Sequence, residues 1–315
     1  MKIKTLLKKI KKLGFRLGFK KFMGYEAIFS CAFRGRENRE WIVLSHSDDY
    51  WYADPLIYAG SGQEIVFMER VNRHTGTGSI VASDITDGEW KPEIPVIDEE
   101  FHMSFPMIFE WGNELYMIPE TEMNRGINLY RCAKFPYAWE HVGRYLDGTR
   151  IVDTVVECVT DDHVRLLGSD FKKDDDFYTR FHAYSLRLDG EGIISATDDG
   201  IMTQDYTLQS RMAGYPLDEN GARIYPVQRS TSGIYGYSVM FKKDHPTGRE
   251  TVREILPSDV QSELPAGSPR LIGVHTYSRS DRYEVIDIQY LVKKSPKTKD
   301  KRTADKERCG LEIKP

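Results

Sequence analysis

The chain has 315 residues, 40% hydrophobic and 29% charged, yet its formal net charge is only −4. That length and apolar share support a sizeable core, and the near balance of charge excludes a general polyanion-binding body, nucleic acid included. No run of 18 apolar residues occurs, so no membrane-spanning helix is expected.

The first predicted element is the stretch MKIKTLLKKIKKLGFRLGFKKFMG, residues 1–24. Ile3, Leu6, Leu7, Ile10 and Leu13 recur at helical spacing, with Lys4, Lys8, Lys9, Lys11 and Lys12 filling the opposite face. The lysines interrupt any apolar run that a secretion signal would need. A basic amphipathic helix of this kind is suited to an anionic membrane surface. The four cysteines, Cys31, Cys132, Cys158 and Cys309, have neither zinc-binding nor thioredoxin spacing and read as reduced thiols. Together these features predict a cytoplasmic protein, peripheral at the inner face of the membrane.

From residue 25 to residue 292 the pattern is all-β: short runs of Val, Ile, Tyr and Phe separated by Gly, Asn and Asp turns. EAIFSCAF and REWIVLS come first, as surplus strands. A repeated unit then begins, an apolar strand turning into a second strand. Its copies are PLIYAGSGQEIVFMER, PMIFEWGNELYMIPET, TVVECVTDDHVRLLGSD, YPLDENGARIYPVQRS and GVHTYSRSDRYEVIDIQ, starting roughly 50 to 60 residues apart. After the first and second copies a further strand, turn and Trp follow, placing Trp90 and Trp139 in matching positions; FHAYSLRLDGEGIISAT is a looser version after the third. About four strands per unit and five units predict a five-bladed β-propeller. The last unit runs short near Val292, so the N-terminal strands are expected to complete it and close the ring. Two stacked β-sandwiches are the other architecture, but they leave the repeat unexplained. Residues 293–315, KKSPKTKDKRTADKERCGLEIKP, are charged and poor in large apolar residues, and are expected to be disordered.

In a propeller the innermost strands line a central channel, and side chains near their starts converge at one end. At that position the five units offer Asp54, then His102 and Ser104, then Asp153, Arg211 and His275. One Asp before a strand is ordinarily a turn cap. Its recurrence in phase as a polar or ionisable residue points to a shared site. Other chemistry is weaker. HTGTGS at 74–79 opens no helix, Asp174–Asp176 form an unspaced charge run, and no nucleophile triad is suggested. No metal and no cofactor are expected.

The Asp before Pro55 in the first unit and the second Asp in the third resemble the five-bladed glycoside hydrolases of family 43 and their levansucrase and invertase relatives. HMSFPMIFEWGNELYMIPET, RMAGYPLDENGARIYPVQ and GVHTYSRSDRYEVIDIQ resemble, more specifically, the N-terminal propeller domain of glucosamine inositolphosphorylceramide transferases. Bacterial proteins of that type are associated with surface-polysaccharide assembly. The hydrolase resemblance implies Asp54 as general base and Asp153 as the Asp that tunes the acid. It also implies a Glu as general acid where this chain has Arg211, which cannot give up a proton. An inverting hydrolase needs two carboxyl groups, and Glu120 is the candidate to stand in.

Three functions remain open. One is a glycosyltransferase taking a sugar or sugar-phosphate donor to a glycan acceptor. There Asp54 would be the base, Arg211 would hold the leaving phosphate, and His102, His275, Arg223 and Gln228 would hold sugar hydroxyls or phosphate. The second is a hydrolase with a relocated acid; the third is a glycan-binding scaffold without turnover. A structural ion pair from Arg211 to Asp54 or Asp153 is compatible with each of them.

Overall fold

The computed structural model describes residues 25–170, 180–203, 211–231, 234–243 and 250–293. The predicted basic helix of residues 1–24 lies outside them, as does the predicted tail apart from Lys293.

The β-branched and aromatic runs form strands that pair as sequence-adjacent antiparallel hairpins. Strands β1 (Tyr25–Gly35) and β2 (Ile42–Val43) come first. Blade one is β3 (Tyr50–Gly60), β4 (Gln63–Asn72), β5 (Gly78–Asp84) and β6 (Ile94–Ile97). Blade two is β7 (Ser104–Trp111), β8 (Glu114–Glu120), β9 (Ile127–Lys134) and β10 (Ala138–Tyr145). Blade three is β11 (Ile151–Val159), β12 (His163–Asp170), β13 (Arg180–Leu188) and β14 (Ile194–Thr203). Blade four is β15 (Leu217–Glu219), β16 (Ala222–Thr231), β17 (Ile234–Lys243) and β18 (Thr251–Ile255). A single turn of helix, α1 (Pro257–Gln261), then leads to β19 (Leu271–Gly273), β20 (Tyr277–Arg279) and β21 (Tyr283–Lys293). β19 and β20 both pair with β21, and β1 and β2 continue that sheet, so the N-terminal strands complete blade five as expected. Closure completes the fifth blade from both ends of the chain, and each blade keeps only short edges.

The two matching tryptophans serve the packing between blades. Trp139 lies in β10 and meets Phe67 of blade one edge-on at 5.8 Å. Trp90 meets Phe33 of blade five edge-on at 5.1 Å, and its indole N–H donates to the Ile42 carbonyl. Each thus packs on a Phe of the preceding blade. Trp90 does so from the loop between β5 and β6.

What positions the site is one defect repeated along the innermost strands. β3 advances from Ala53 to Leu56 while its partner β4 advances only from Glu69 to Phe67. The same extra residue occurs between Ser104 and Met107 in β7 and between Val152 and Val155 in β11. At each bulge a non-glycine residue takes a left-handed backbone: Asp54 (φ 50°), Phe105 (φ 45°) and Asp153 (φ 49°). A bulge bends the strand and re-aims one side chain, and left-handed non-glycine residues persist only where the surroundings enforce them. Below the bulges the channel is packed. Leu56, Phe105, Met107, Val155, Met212 and Val227 share one buried cluster. The Tyr215 hydroxyl of blade four accepts from the Ile108 amide of blade two at 3.1 Å.

Candidate functional site

The bulge that turns each Asp also removes its amide from the ladder, and a buried N–H without a partner is costly. A carboxylate from the second strand of the preceding blade supplies the partner. The Asp54 amide donates to Asp287 Oδ2 on β21 at 3.2 Å, and the Asp153 amide to Glu120 Oε2 on β8 at 3.2 Å. On β4, Glu69 likewise faces the next blade, where it meets His102 Nε2 at 3.0 Å. The repeat thus builds a ring of acids around the channel mouth.

Two clusters result. In the first, the Arg211 guanidinium binds Asp153 in bidentate fashion, with Nη2 to Asp153 Oδ1 at 2.9 Å and Nε to Oδ2. Nη2 also reaches Glu120 Oε2 at 3.5 Å. Asp153 is buried, while the Glu120 and Arg211 side chains keep 13% and 15% exposure and face the mouth. Burial, reinforced by Asp153 and opposed by Arg211, pushes the Glu120 carboxyl well above the usual range. Burial acts against the charge of Arg211, but its acidic neighbours, Asp153 and Glu120 among them, together hold the guanidinium protonated.

The second cluster joins blades five and one. His275 Nε2 lies 3.4 Å from Asp54 Oδ1 and Nδ1 lies 2.5 Å from Asp287 Oδ2. Thr276 Oγ1 donates to Asp54 Oδ1 at 2.9 Å. Asp287, wholly buried, also accepts the amides of His275 and Thr276 at 2.9 and 3.0 Å. Burial works against its ionised form, but His275 and these amide donors hold its carboxyl below the ordinary value. Burial likewise works against the imidazolium, yet the Asp287 carboxylate raises His275 to about 9. Burial pushes Asp54 up to about 7, against His275 and with the help of Glu69, Asp287 and Asp153. Asp54, His275 and Asp287 bring possible metal-ligand atoms within 4.8 Å of one another. In this arrangement the positive charge between the two carboxylates is the imidazolium itself.

One aromatic touches both clusters. The Tyr235 ring lies 5.1 Å from the Arg211 guanidinium carbon and meets the His275 ring edge-on at 5.4 Å. Phe29 stacks on His275 at 4.6 Å. Glycines let blades four and five come this close. Gly236 has φ 61°, and a Cβ there would stand 2.5 Å from that of His275. A Cβ on Gly214 would meet the Tyr277 carbonyl oxygen.

The structure therefore brings together Asp54, Glu120, Asp153, Arg211 and His275. His102 stands in the wall between blades one and two. Its Nδ1 accepts the Gly78 amide at 2.9 Å, a role that requires this nitrogen to be unprotonated. Ser104 is buried and pairs with Glu120 across the strands. Gln228 is buried, donating to the Met212 carbonyl at 2.9 Å. Arg223 is a correction. It lies beside the β15–β16 turn, at the far end of the channel, binding Asp218 at 2.6 Å and the Glu157 carbonyl at 2.8 Å. Sequence reasoning missed Asp287, Tyr235 and Glu69. The lone Asp in the apolar run VIDIQY was a usable signal for Asp287, because a buried acid demands a partner. Tyr235 carried none. A groove of about 800 Å³ lies elsewhere, between the β1–β2 turn around Trp41 and the segment around Pro265 and Pro269.

Comparison with known proteins follows the same lines. The family described as glucosamine inositolphosphorylceramide transferase 1, N-terminal, matches residues 43–299. Glucosamine inositolphosphorylceramide transferase 1 of Oryza sativa subsp. indica is 29% identical over 246 residues, 76% of this chain and 31% of the relative. That of Arabidopsis thaliana is 36% identical over 90 residues, 28% of this chain and 12% of the relative. Among solved structures, the catalytic domain of the Coprinopsis cinerea GH62 α-L-arabinofuranosidase aligns with a TM-score of 0.49 at 12% identity, over 82% of this chain and 97% of that one. The chain spans about a third of the length of the rice relative. It belongs to the family of glucosamine inositolphosphorylceramide transferase 1 N-terminal domains.

Proposed function

We propose that this propeller is a carbohydrate-active module of surface-glycan assembly, and that its mouth transfers a glycosyl group by acid–base chemistry. The observation that carries the reading is the convergence of Glu120 with Asp153 and Arg211 at the mouth where Asp54 also stands. Burial shifts both Glu120 and Asp54 towards protonation, as a carboxyl used as acid or base requires. Asp54 takes the proton of an acceptor hydroxyl, whose oxygen bonds to the anomeric carbon. The bond from that carbon to the leaving oxygen breaks, and Glu120 protonates that oxygen. Asp153 and Arg211 hold Glu120 in place.

Transfer rather than hydrolysis is favoured by the names of the relatives, which supply the donor and acceptor classes: an activated sugar and a glycan or glycolipid. Water in place of the acceptor hydroxyl gives the hydrolase reading with the same two carboxyls. The phosphate-gripping role for Arg211 is less favoured, because two carboxylates already flank its guanidinium. The basic pattern of residues 1–24 supports docking on an anionic membrane surface, and the reduced-thiol reading supports a cytoplasmic site at the inner face. Co-sedimentation of the full chain and of a chain lacking residues 1–24 with anionic vesicles tests the docking; equal binding would sink it.

The chemistry is tested by offering the full chain aryl glycosides and nucleotide sugars, with and without acceptor glycans. Asp54→Asn and Glu120→Gln are each expected to lower turnover by about 10²-fold or more. Glu120→Gln should recover on a dinitrophenyl glycoside, whose leaving group needs no proton. Unchanged turnover in either variant overturns the assignment. Glycan binding with no turnover in the wild type returns the scaffold reading.

A further inference from the structure

We infer that Tyr235 is the platform on which the sugar ring stacks, and so the residue that positions the glycosyl group against Glu120 and Asp54. The inference rests on the proposed carbohydrate role and deepens it. The mouth is otherwise built from groups that are buried or nearly so: Asp54, Asp153, Asp287 and His275 are each at most 6% exposed. Tyr235 keeps 38% of its surface exposed in the midst of them.

A half-exposed aromatic in a cluster of charges has no core to fill. Its ring is nevertheless held firmly. Arg211 packs over it at 5.1 Å and His275 abuts it edge-on at 5.4 Å. Gly236, which follows it with φ 61°, lets its strand lie against His275 with no room for a Cβ. With one face committed to the guanidinium, the opposite face is the one left to receive a ligand. An aromatic face suits the apolar C–H face of a pyranose, whose hydroxyls then point outward to hydrogen-bond partners. The partners at hand are the carboxyl of Glu120 and the guanidinium of Arg211, the two most exposed polar groups of their cluster.

Tyr235 therefore acts by placement and not by proton transfer, and the stacking face matters more than the hydroxyl. Saturation-transfer NMR of the full chain with methyl glycosides of hexoses, pentoses, hexosamines and N-acetylhexosamines finds the sugar that binds. Titration of that sugar then compares variants. Tyr235→Phe is expected to bind within about threefold of wild type, and Tyr235→Ala to lose about tenfold or more. In turnover the Ala variant should raise KM with kcat changed far less. The exposed position predicts an unchanged melting temperature for Tyr235→Phe, which separates stacking from folding. Equal affinity of Tyr235→Ala and wild type overturns the platform while leaving the carbohydrate reading intact. No sugar bound by the wild type overturns both.

Discussion

The two clusters at the channel mouth follow one plan with different cations. In each, a bulged Asp of an inner strand presents its carboxylate to a cation, and a second carboxylate from the preceding blade holds the Asp amide. Between blades two, three and four the cation is Arg211; between blades five and one it is His275. A guanidinium keeps its charge at any pH the fold survives, whereas an imidazolium gives up its proton within reach of physiological pH. One half of the mouth therefore has a fixed cation and the other a titratable one. Proton transfer needs both: a fixed frame to hold Glu120 and an adjustable partner for Asp54.

The largest expected effect comes from removing the fixed cation. Arg211→Met leaves Asp153 and Glu120 facing each other in a buried site, and breaking such a pair costs about 3–5 kcal/mol. Denaturant unfolding of the variant should show this loss at neutral pH. It should shrink at lower pH, where the two acids take up protons. A loss below about 1 kcal/mol would mean that the guanidinium is not the counter-charge the geometry implies. The next effect acts on the seam between the clusters. Gly236→Ala puts a methyl 2.5 Å from the His275 Cβ at a left-handed backbone position, a strain of about 1–3 kcal/mol. Its unfolding midpoint should fall, and the Tyr235 contacts to both cations should loosen together. A variant as stable as wild type would show that the blades can part at no cost.

How much of this was legible depends on what repeated. Strand runs, turns and the spacing of the units predict the blades and the closure by β1 and β2, because those features recur and any one copy corroborates the rest. Asp54 and Asp153 were visible for the same reason, since they occupy the same bulge. Arg211 and His275 do not share that bulge position. Blade four carries two extra residues between Met212 and Leu217, and blade five breaks its inner strand at His275 and Thr276. Their arrival at the mouth depends on those local distortions. Arg223 and Tyr235 mark the limit. Which end of a strand faces the site follows from hairpin geometry, and which tyrosine stays exposed follows from the glycine seam; neither is periodic in the sequence.

The sharpest test of the comparison is the pH response of the second cluster. His275 sits at about 9 against an ordinary 6.5. A raised basic group stabilises the fold fully below 6.5, and that contribution is lost as pH climbs through 9. Asp54, at about 7 against an ordinary 3.8, is a raised acid. The folded state prefers it protonated, so its contribution is lost between 3.8 and 7. Both groups therefore make stability decline with rising pH, in successive windows. His275→Gln keeps an amide beside Asp287 and Asp54 but cannot titrate. Its stability at neutral pH should fall by about 1.5–3 kcal/mol, the scale of a hydrogen bond to a charged group. Its decline between pH 6.5 and 9 should be shallower than that of the wild type, with Asp54 the group left to titrate there. The Arg211 guanidinium supplies no slope there, since it does not lose its proton in that range. A decline in His275→Gln as steep as in wild type would place the titrating group elsewhere and erase the distinction between the two halves of the mouth.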